Sequence, residues 1–175
     1  MPTIITHALL PLTAGLAAGP HRVSRQLMVA GAVAAMLPDA DVVSFWLGIP
    51  YASDFGHRGA THSVVFAASL GLLAVLGRRS LRAPGWLAGL FVGASALSHP
   101  LLDAMTNGGR GVALAWPFEP DRFFFSWRPI EVSPIGARFL STAGLHTLVS
   151  EMAWVWLPCV LLGALAWAVG RAKRR

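Results

Sequence analysis

Apolar stretches separated by short polar ones follow one another along the chain, and five of them approach the length of a membrane span. A spanning helix needs about 20 mostly apolar residues. The pattern therefore predicts an all-α fold, a polytopic membrane bundle of about five spanning helices, with a long outer loop between spans four and five. The loop is rich in Gly, Pro, Trp and Phe, and its irregular alternation leaves a strand or hairpin open. The five stretches are residues 4–20, 26–49, 61–77, 84–106 and 149–170, and the loop is 107–148.

Composition favours a membrane protein over a soluble one. Hydrophobic residues make up 55% of the chain and charged residues only 13%, which is too apolar for an ordinary soluble domain. We expect residues 1–175 to form a single membrane-embedded domain. The net charge of +6 is a feature of nucleic-acid-binding proteins too, but here the basic residues cluster between apolar stretches, as membrane topology requires. No nucleic-acid partner is expected.

The basic clusters indicate how the chain crosses the membrane. They lie at residues 21–25, 78–82 and 171–175, and five spans place all three on one side, which the positive-inside rule makes cytoplasmic. The N-terminus is then outside and the C-terminus cytoplasmic. Because the first residues include no basic region and no small-residue cleavage site, we expect no removable signal peptide.

Ionisable residues that could bind a metal adjoin the apolar stretches, where such groups are costly and usually functional. The predicted topology places all of them at the outer face, with His57 in an outer loop and the others in the outer parts of the spans, so we expect one outward-facing site. The candidate metal ligands are His7, Asp39, Asp41, His57, His62, His99 and Asp103.

Local spacing supports this grouping. His99 and Asp103 are four residues apart, so they share one face of a helix. Pro38 should interrupt the second span and leave the two aspartates that follow it on a non-helical corner. Thr61 is the predicted N-cap of the third span, which would place His62 at the start of that helix.

A ridge of small residues at Gly85, Gly89 and Gly93 in the fourth span should permit close helix packing. We expect it to hold spans one and four together, with a dimer interface as the alternative. The oligomeric state is left open by the sequence.

Imidazole and carboxylate ligands suit zinc, with manganese or iron as alternatives. Seven candidates exceed the needs of one tetrahedral ion, so two divalent ions are expected and one ion is the alternative. Arg58, between two candidate ligands, is predicted to bind phosphate, or else to form a salt bridge with Asp54 or another carboxylate. Glu131 and Glu151 are candidates for a general base or an extra ligand.

Three sequence blocks carry a resemblance to a known family: LPDAD at residues 37–41, FGHRGATHS at 55–63 and SHPLLDAMT at 98–106. They resemble the signature blocks of the YdjM-like inner-membrane proteins, a family of metal-dependent hydrolases, over residues 1 to about 130. That family is in turn distantly similar to the all-helical zinc-dependent phospholipase C and single-strand nuclease group. The resemblance implies a phosphoester hydrolase in the bacterial inner membrane, with His99 and Asp103 matching a metal-binding His-x-x-x-Asp pair.

The predicted function is therefore a membrane-bound hydrolase that cleaves a phosphoester of a lipid or lipid-linked substrate with metal-activated water. The outer loop is predicted either to cover the site in the headgroup zone, with Arg122 or Arg128 drawn to phosphate, or to pack as a surface loop. A metal-handling or ion transporter is the rival hypothesis, because intramembrane His and Asp also form ion pathways. A membrane protein in which metal only joins the helices is the third.

Overall fold

The computed structural model describes residues 1–134 and 136–172. The last three residues of the predicted basic cluster at 171–175 lie outside the described residues. The described chain contains helices α1 (Ile4–Ala18), α2 (Arg25–Met36), α3 (Val43–Trp46), α4 (Val64–Leu76), α5 (Gly85–Ala104), α6 (Thr142–Glu151) and α7 (Leu157–Ala172). Three 3-10 segments (Leu37–Val42, Ala60–His62 and Gly136–Leu140) and a π-helical turn at Met152–Trp156 connect or precede them.

Three continuous helical segments are long and apolar enough to cross a membrane, so the predicted helical membrane bundle is confirmed. They are Arg25–Trp46, Gly85–Ala104 and Thr142–Ala172. The predicted first and third spans correspond to α1 and α4, of 15 and 13 residues. At 1.5 Å per residue these helices are roughly 20 Å long, shorter than the hydrocarbon core of a bilayer.

The final helix begins earlier than the apolar pattern predicts. It starts at Thr142 rather than near residue 149 and runs through the π-helical turn to Ala172. The outer loop therefore ends before Thr142 and is shorter than the predicted range 107–148. Within its described part, two isolated bridges, Thr106 with Ile130 and Val112 with Phe123, are the β-type pairings found.

The basic loops meet at one end of the bundle. The hydroxyl of Ser24, in the loop between α1 and α2, donates to the carbonyl of Leu81, between α4 and α5, at 2.5 Å. Val169 near the end of α7 and Arg22 line one groove at this end. The start of α1, the end of α2, the start of α4 and the end of α5 consequently lie together at the opposite end.

The small-residue ridge packs α5 against α4, and the prediction that it holds spans one and four together is wrong. A Cβ atom on Gly71 of α4 would lie 2.9 Å from the carbonyl oxygen of Gly89 and 3.3 Å from Cα of Gly93. Because the backbones approach this closely, only glycine fits the contact. Apolar and mostly small side chains fill the adjacent core, including Leu27, Ala34, Ala67, Ala88, Val92 and Ala96.

Candidate metal centre

Four of the seven predicted ligands form a compact cluster at the end of the bundle away from the basic loops. One potential ligand atom from each of Asp39, His62, His99 and Asp103 lies within 4.8 Å of the others. The histidines and Asp103 are fully buried, and Asp39 is 5% exposed. They come from three places in the chain, so only the folded bundle assembles the cluster.

The winding of the chain after Pro38 gives its two aspartates different partners. Pro38 stands at the start of the 3-10 segment Leu37–Val42, as its inability to continue an α-helix predicts. A 3-10 helix turns about 120° per residue, so side chains two positions apart point in different directions. Oδ1 of Asp39 lies 3.4 Å from Nε2 of His99, whereas Asp41 faces the loop that precedes α4.

Hydrogen bonds orient both histidines of the cluster for coordination. Nδ1 of His99 lies 2.7 Å from the carbonyl oxygen of Ala35, which can only accept, so Nδ1 carries the proton and Nε2 keeps its lone pair. Nδ1 of His62 lies 3.2 Å from Oδ2 of Asp41, which has the same effect.

The two coordinating nitrogens then face each other. Nε2 of His62 lies 3.1 Å from Nε2 of His99, and two lone pairs at this distance repel unless a cation or proton lies between them. Two nitrogens bound tetrahedrally to one zinc ion at about 2.0–2.1 Å are themselves about 3.3 Å apart. The spacing therefore fits a shared ion.

The carboxylates of the cluster have few polar partners. Both oxygens of Asp39, Oδ1 of Asp103 and both ring nitrogens of His7 are buried without a hydrogen-bond partner in the described part of the chain, and Oδ2 of Asp103 is paired with Nε of Arg58. Burial of an unsatisfied carboxylate is strongly unfavourable. A divalent cation bound here would satisfy the carboxylate oxygens, so the residues present fit a metal ion.

His7 lies beside the four-residue cluster. Its Nε2 is 3.6 Å from Oδ1 of Asp103 and 4.0 Å from Oδ2 of Asp39, which are not the oxygens nearest to His62 and His99. Its ring stacks on that of His99 at 3.6 Å between centroids. Each carboxylate therefore directs one oxygen toward His7 and the other toward His62 or His99.

The structure does not bring Asp41 and His57 into the cluster. Asp41 accepts hydrogen bonds from Arg58 N at 3.0 Å and Thr61 Oγ1 at 2.7 Å, and it lies 2.5 Å from Nδ1 of His57. Together with its contact to His62, this makes Asp41 the acceptor for four donors of one loop. Its oxygens are therefore engaged in orienting that loop rather than directed at the cluster.

The predicted N-cap of the third span is wrong by two residues. Ser63, not Thr61, caps α4, because its hydroxyl accepts from the N–H of Phe66 at 3.0 Å. Thr61 instead donates to Asp41. Thr61 lies inside the 3-10 turn Ala60–His62, which precedes Ser63, and the turn places His62 just before the helix.

Arg58 is enclosed beside the cluster. It is 1% exposed and has a left-handed φ of 63°. Its Nε lies 2.8 Å from Oδ2 of Asp103, and its terminal nitrogens donate to Thr106 Oγ1 at 3.2 Å and to the carbonyl of Gly108 at 3.1 Å. Arg58 therefore forms a salt bridge, the alternative to phosphate binding, and its partner is Asp103 rather than Asp54.

The two glutamates predicted as catalytic candidates have other surroundings. Glu151 is fully buried and accepts from the N–H of Thr3 at 2.5 Å and from the hydroxyls of Thr3 and Thr6 at 2.6 Å. Three donors on one carboxylate join the last helix to the start of α1, next to His7. Glu131 is exposed and lies outside the cluster. The sequence gives no role to Thr3, and it marks Thr6 only as the neighbour of His7 in the family resemblance.

Arg122 attaches the outer loop to the site. Its guanidinium donates to the carbonyls of His57 and Tyr51, both at 2.9 Å, and of Ser53 at 3.1 Å. The guanidinium of Arg122, which was predicted to attract phosphate, is therefore already bonded to backbone carbonyls. Burial raises the pKa of the nearby Tyr51 hydroxyl. A cavity of about 110 Å³ lies here on the loop side of the cluster, lined by Met1, Tyr51, His57, Arg58, Gly109, Val132 and Ser133.

Comparison with known proteins finds similarity along nearly the whole chain. The family model described as "YdjM inner membrane protein" matches residues 1–174. The chain is 48% identical to "Inner membrane protein YbcI" of Escherichia coli (strain K12) over 169 residues, 95% of this chain and 98% of that protein. It is 40% identical to "Inner membrane protein YdjM" of the same organism over 96 residues, 47% of this chain and 44% of that protein. No solved structure matches the chain.

Proposed function

This chain belongs to the YdjM inner membrane protein family, and we propose that it is a metal-dependent hydrolase that cleaves a phosphoester of a lipid or lipid-linked substrate. One observation carries the proposal: two buried carboxylates that share a single cationic partner, Arg58, lie beside two imidazoles whose free nitrogens face each other. Such a set is unfavourable without a cation. With a cation it has the ligand types of hydrolytic zinc sites.

Asp39, His62, His99 and Asp103 would hold the ion. Zinc suits their nitrogen and oxygen donors best, with manganese or iron as alternatives. A bound divalent ion would polarise a phosphoryl oxygen and lower the pKa of a coordinated water to about 7. We favour two ions, because His7 lies near the second oxygens of Asp39 and Asp103.

The other residues of the site orient the ligands and balance their charge. Asp41 accepts from Nδ1 of His62 and so keeps Nε2 of that ring available as a ligand. Arg58 offsets part of the negative charge of Asp103 and excludes water from it. Glu151 fixes the start of α1, which carries His7, through Thr3 and Thr6.

The position of the cluster at one end of a helical bundle supports a substrate in the membrane. The basic loops lie at the other end, and the positive-inside rule assigns that end to the cytoplasm. The proposed site then faces outward from the inner membrane, near the depth of lipid phosphates, and the N-terminus is outside. A soluble phosphoester is the competing substrate class.

An ion transporter is less consistent with this arrangement. A transport pathway requires polar groups across the membrane, whereas the core between the two ends of the bundle consists of apolar side chains, such as Leu27, Ala88 and Val92, in the described ranges. A metal that only joins helices is the second candidate. It is favoured by one observation, that the cluster links the end of α2, the loop before α4 and the end of α5.

The test is metal analysis of the detergent-purified protein, together with hydrolysis assays on a panel of phospholipids and lipid-linked phosphates. His62→Ala is compared with His146→Ala, which alters an exposed histidine. We expect His62→Ala to lose metal and hydrolysis while remaining folded, and His146→Ala to retain both. If His62→Ala unfolds and no lipid is hydrolysed by the wild type, the joining role is correct. If the wild type binds no divalent metal, the proposed function is wrong.

A further inference from the structure

A groove runs along the seam between α1 and α5, on the membrane side of the metal centre. Its volume is about 390 Å³. Ala14 and Ala94 are exposed small residues on its two walls, so the groove is open sideways. Its lining includes Leu10, Pro11 and Ala14 of α1 and Leu90, Phe91 and Ala94 of α5.

The polar residues in the groove do not make it a polar site. Ser95 and Ser98 also line it, but each hydroxyl donates to a backbone carbonyl of its own helix. Ser95 bonds to the carbonyl of Phe91 at 2.6 Å, and Ser98 to that of Ser95 at 2.7 Å. The donors are therefore engaged, and the surface that an occupant meets is mainly hydrocarbon.

The groove leads to the candidate metal centre. Leu10 and Pro11 follow His7 by one turn of α1, an axial distance of about 5 Å at 1.5 Å per residue. On α5, Ser98 directly precedes His99. The rings of His7 and His99 stack across the same seam at 3.6 Å, so the groove ends within one helical turn of them.

We propose that this groove holds one hydrocarbon chain of the lipid whose phosphoester lies at the metal centre. The proposal rests on the proposed function and adds a binding site for the apolar part of its substrate. The groove lies between helices of an inner-membrane protein, where the surrounding solvent is lipid chains. An ordinary helix, about 10 Å in diameter with a 5.4 Å pitch, occupies roughly 420 Å³ per turn. The groove holds less than one such turn, which favours a thin, extended occupant over a partner helix.

Photo-crosslinking tests the proposal without requiring hydrolysis. The full-length protein is placed in nanodiscs of phosphatidylethanolamine and phosphatidylglycerol that contain phosphatidylglycerol with a diazirine in its acyl chain. Labelled peptides are then located by mass spectrometry. We expect labels concentrated on residues 10–14 and 90–94. Ala94→Trp fills the groove and should lower this labelling about tenfold, as the exclusion of somewhat less than two buried methylenes would.

The matched control is Ala68→Trp, the same substitution at an exposed alanine of α4 outside the groove; it should label like the wild type. Unchanged metal content in Ala94→Trp shows that the bundle has folded. Labels spread evenly over the lipid-facing helices, equal losses in the two variants, or a dimer crosslinked through the seam would overturn the groove assignment. Groove labelling without hydrolysis of any lipid phosphoester would support a chain-binding groove and refute the proposed function instead.

Discussion

Replacing Asp41 by alanine distinguishes a carboxylate that orients a ligand from one that binds metal itself. Asp41 accepts from four donors, and without it Nδ1 of His62 keeps only the hydroxyl of Thr61, at 3.1 Å. A hydrogen bond to a charged group contributes about 1.5–3 kcal/mol. Loss of the bond that orients His62 should therefore lower metal affinity about 10- to 100-fold, the usual effect of removing such a partner.

The conservative substitution should have a smaller effect. In Asp41→Asn the amide oxygen can still accept from Arg58, Thr61 and His62, while its NH₂ meets His57, which can carry its proton on the other ring nitrogen. We expect a loss of affinity below that of the alanine variant. This substitution also guards against the possibility that the alanine variant fails to fold.

The assay is competition for zinc against a chromogenic chelator, with stoichiometry measured by mass spectrometry at saturating metal. Asp54→Ala, at an exposed position in the same loop, is the control and should bind like the wild type. Asp41→Ala should reach the wild-type stoichiometry at higher zinc concentration. A lower stoichiometry at saturation would make Asp41 a ligand, as the sequence predicts. An unchanged zinc affinity would show that the bond from Asp41 to His62 does not contribute to metal binding.

Three further outcomes are expected. His99→Ala should lose the metal even at saturating zinc, whereas His146→Ala should keep it, as elemental analysis will show. Glu151→Gln presents an amide NH₂ to the donors of Thr3 and Thr6, so it should lower the free energy of unfolding by about 1.5–3 kcal/mol. The control Glu131→Gln should change the free energy of unfolding by less than about 0.5 kcal/mol. An equal change in the two variants would contradict the anchoring role of Glu151. Chelation should lower the melting temperature of the wild type, since an ion at 1,000 times its Kd stabilises the fold by about 4 kcal/mol, but should not shift that of Asp103→Asn.

The coarse architecture could be predicted because it depends on patterns that many residues share. Apolar length and the placement of basic loops require no knowledge of individual contacts, and they placed His7, Asp39 and His99 at one end of the bundle. The helix partner of the glycine ridge could not be predicted in this way. A small-residue stripe shows that another backbone can approach, but Gly71 on the facing helix, rather than α1, determines which one does.

The individual roles within the site depend on angles that the sequence does not contain. Asp39 and Asp41 are the same residue type two positions apart, and an extended or α-helical corner would direct them differently. The 3-10 winding after Pro38 separates them, so that Asp39 faces the cluster and Asp41 faces the His57 loop. His57 then lies beside the four-residue cluster rather than within it.

The geometry also implies that metal binding and folding are coupled. The helix ends that carry Asp39 and Asp103 bring two carboxylates together out of water, and Arg58 is paired with only Asp103, at 2.8 Å. Each remaining unsatisfied charge favours opening of this end of the bundle, whereas an ion that binds only the closed form favours the assembled cluster. The same four side chains would therefore stabilise the fold and bind the ion, so a variant that removes one of them is informative about catalysis only when its folding and its metal content are both measured.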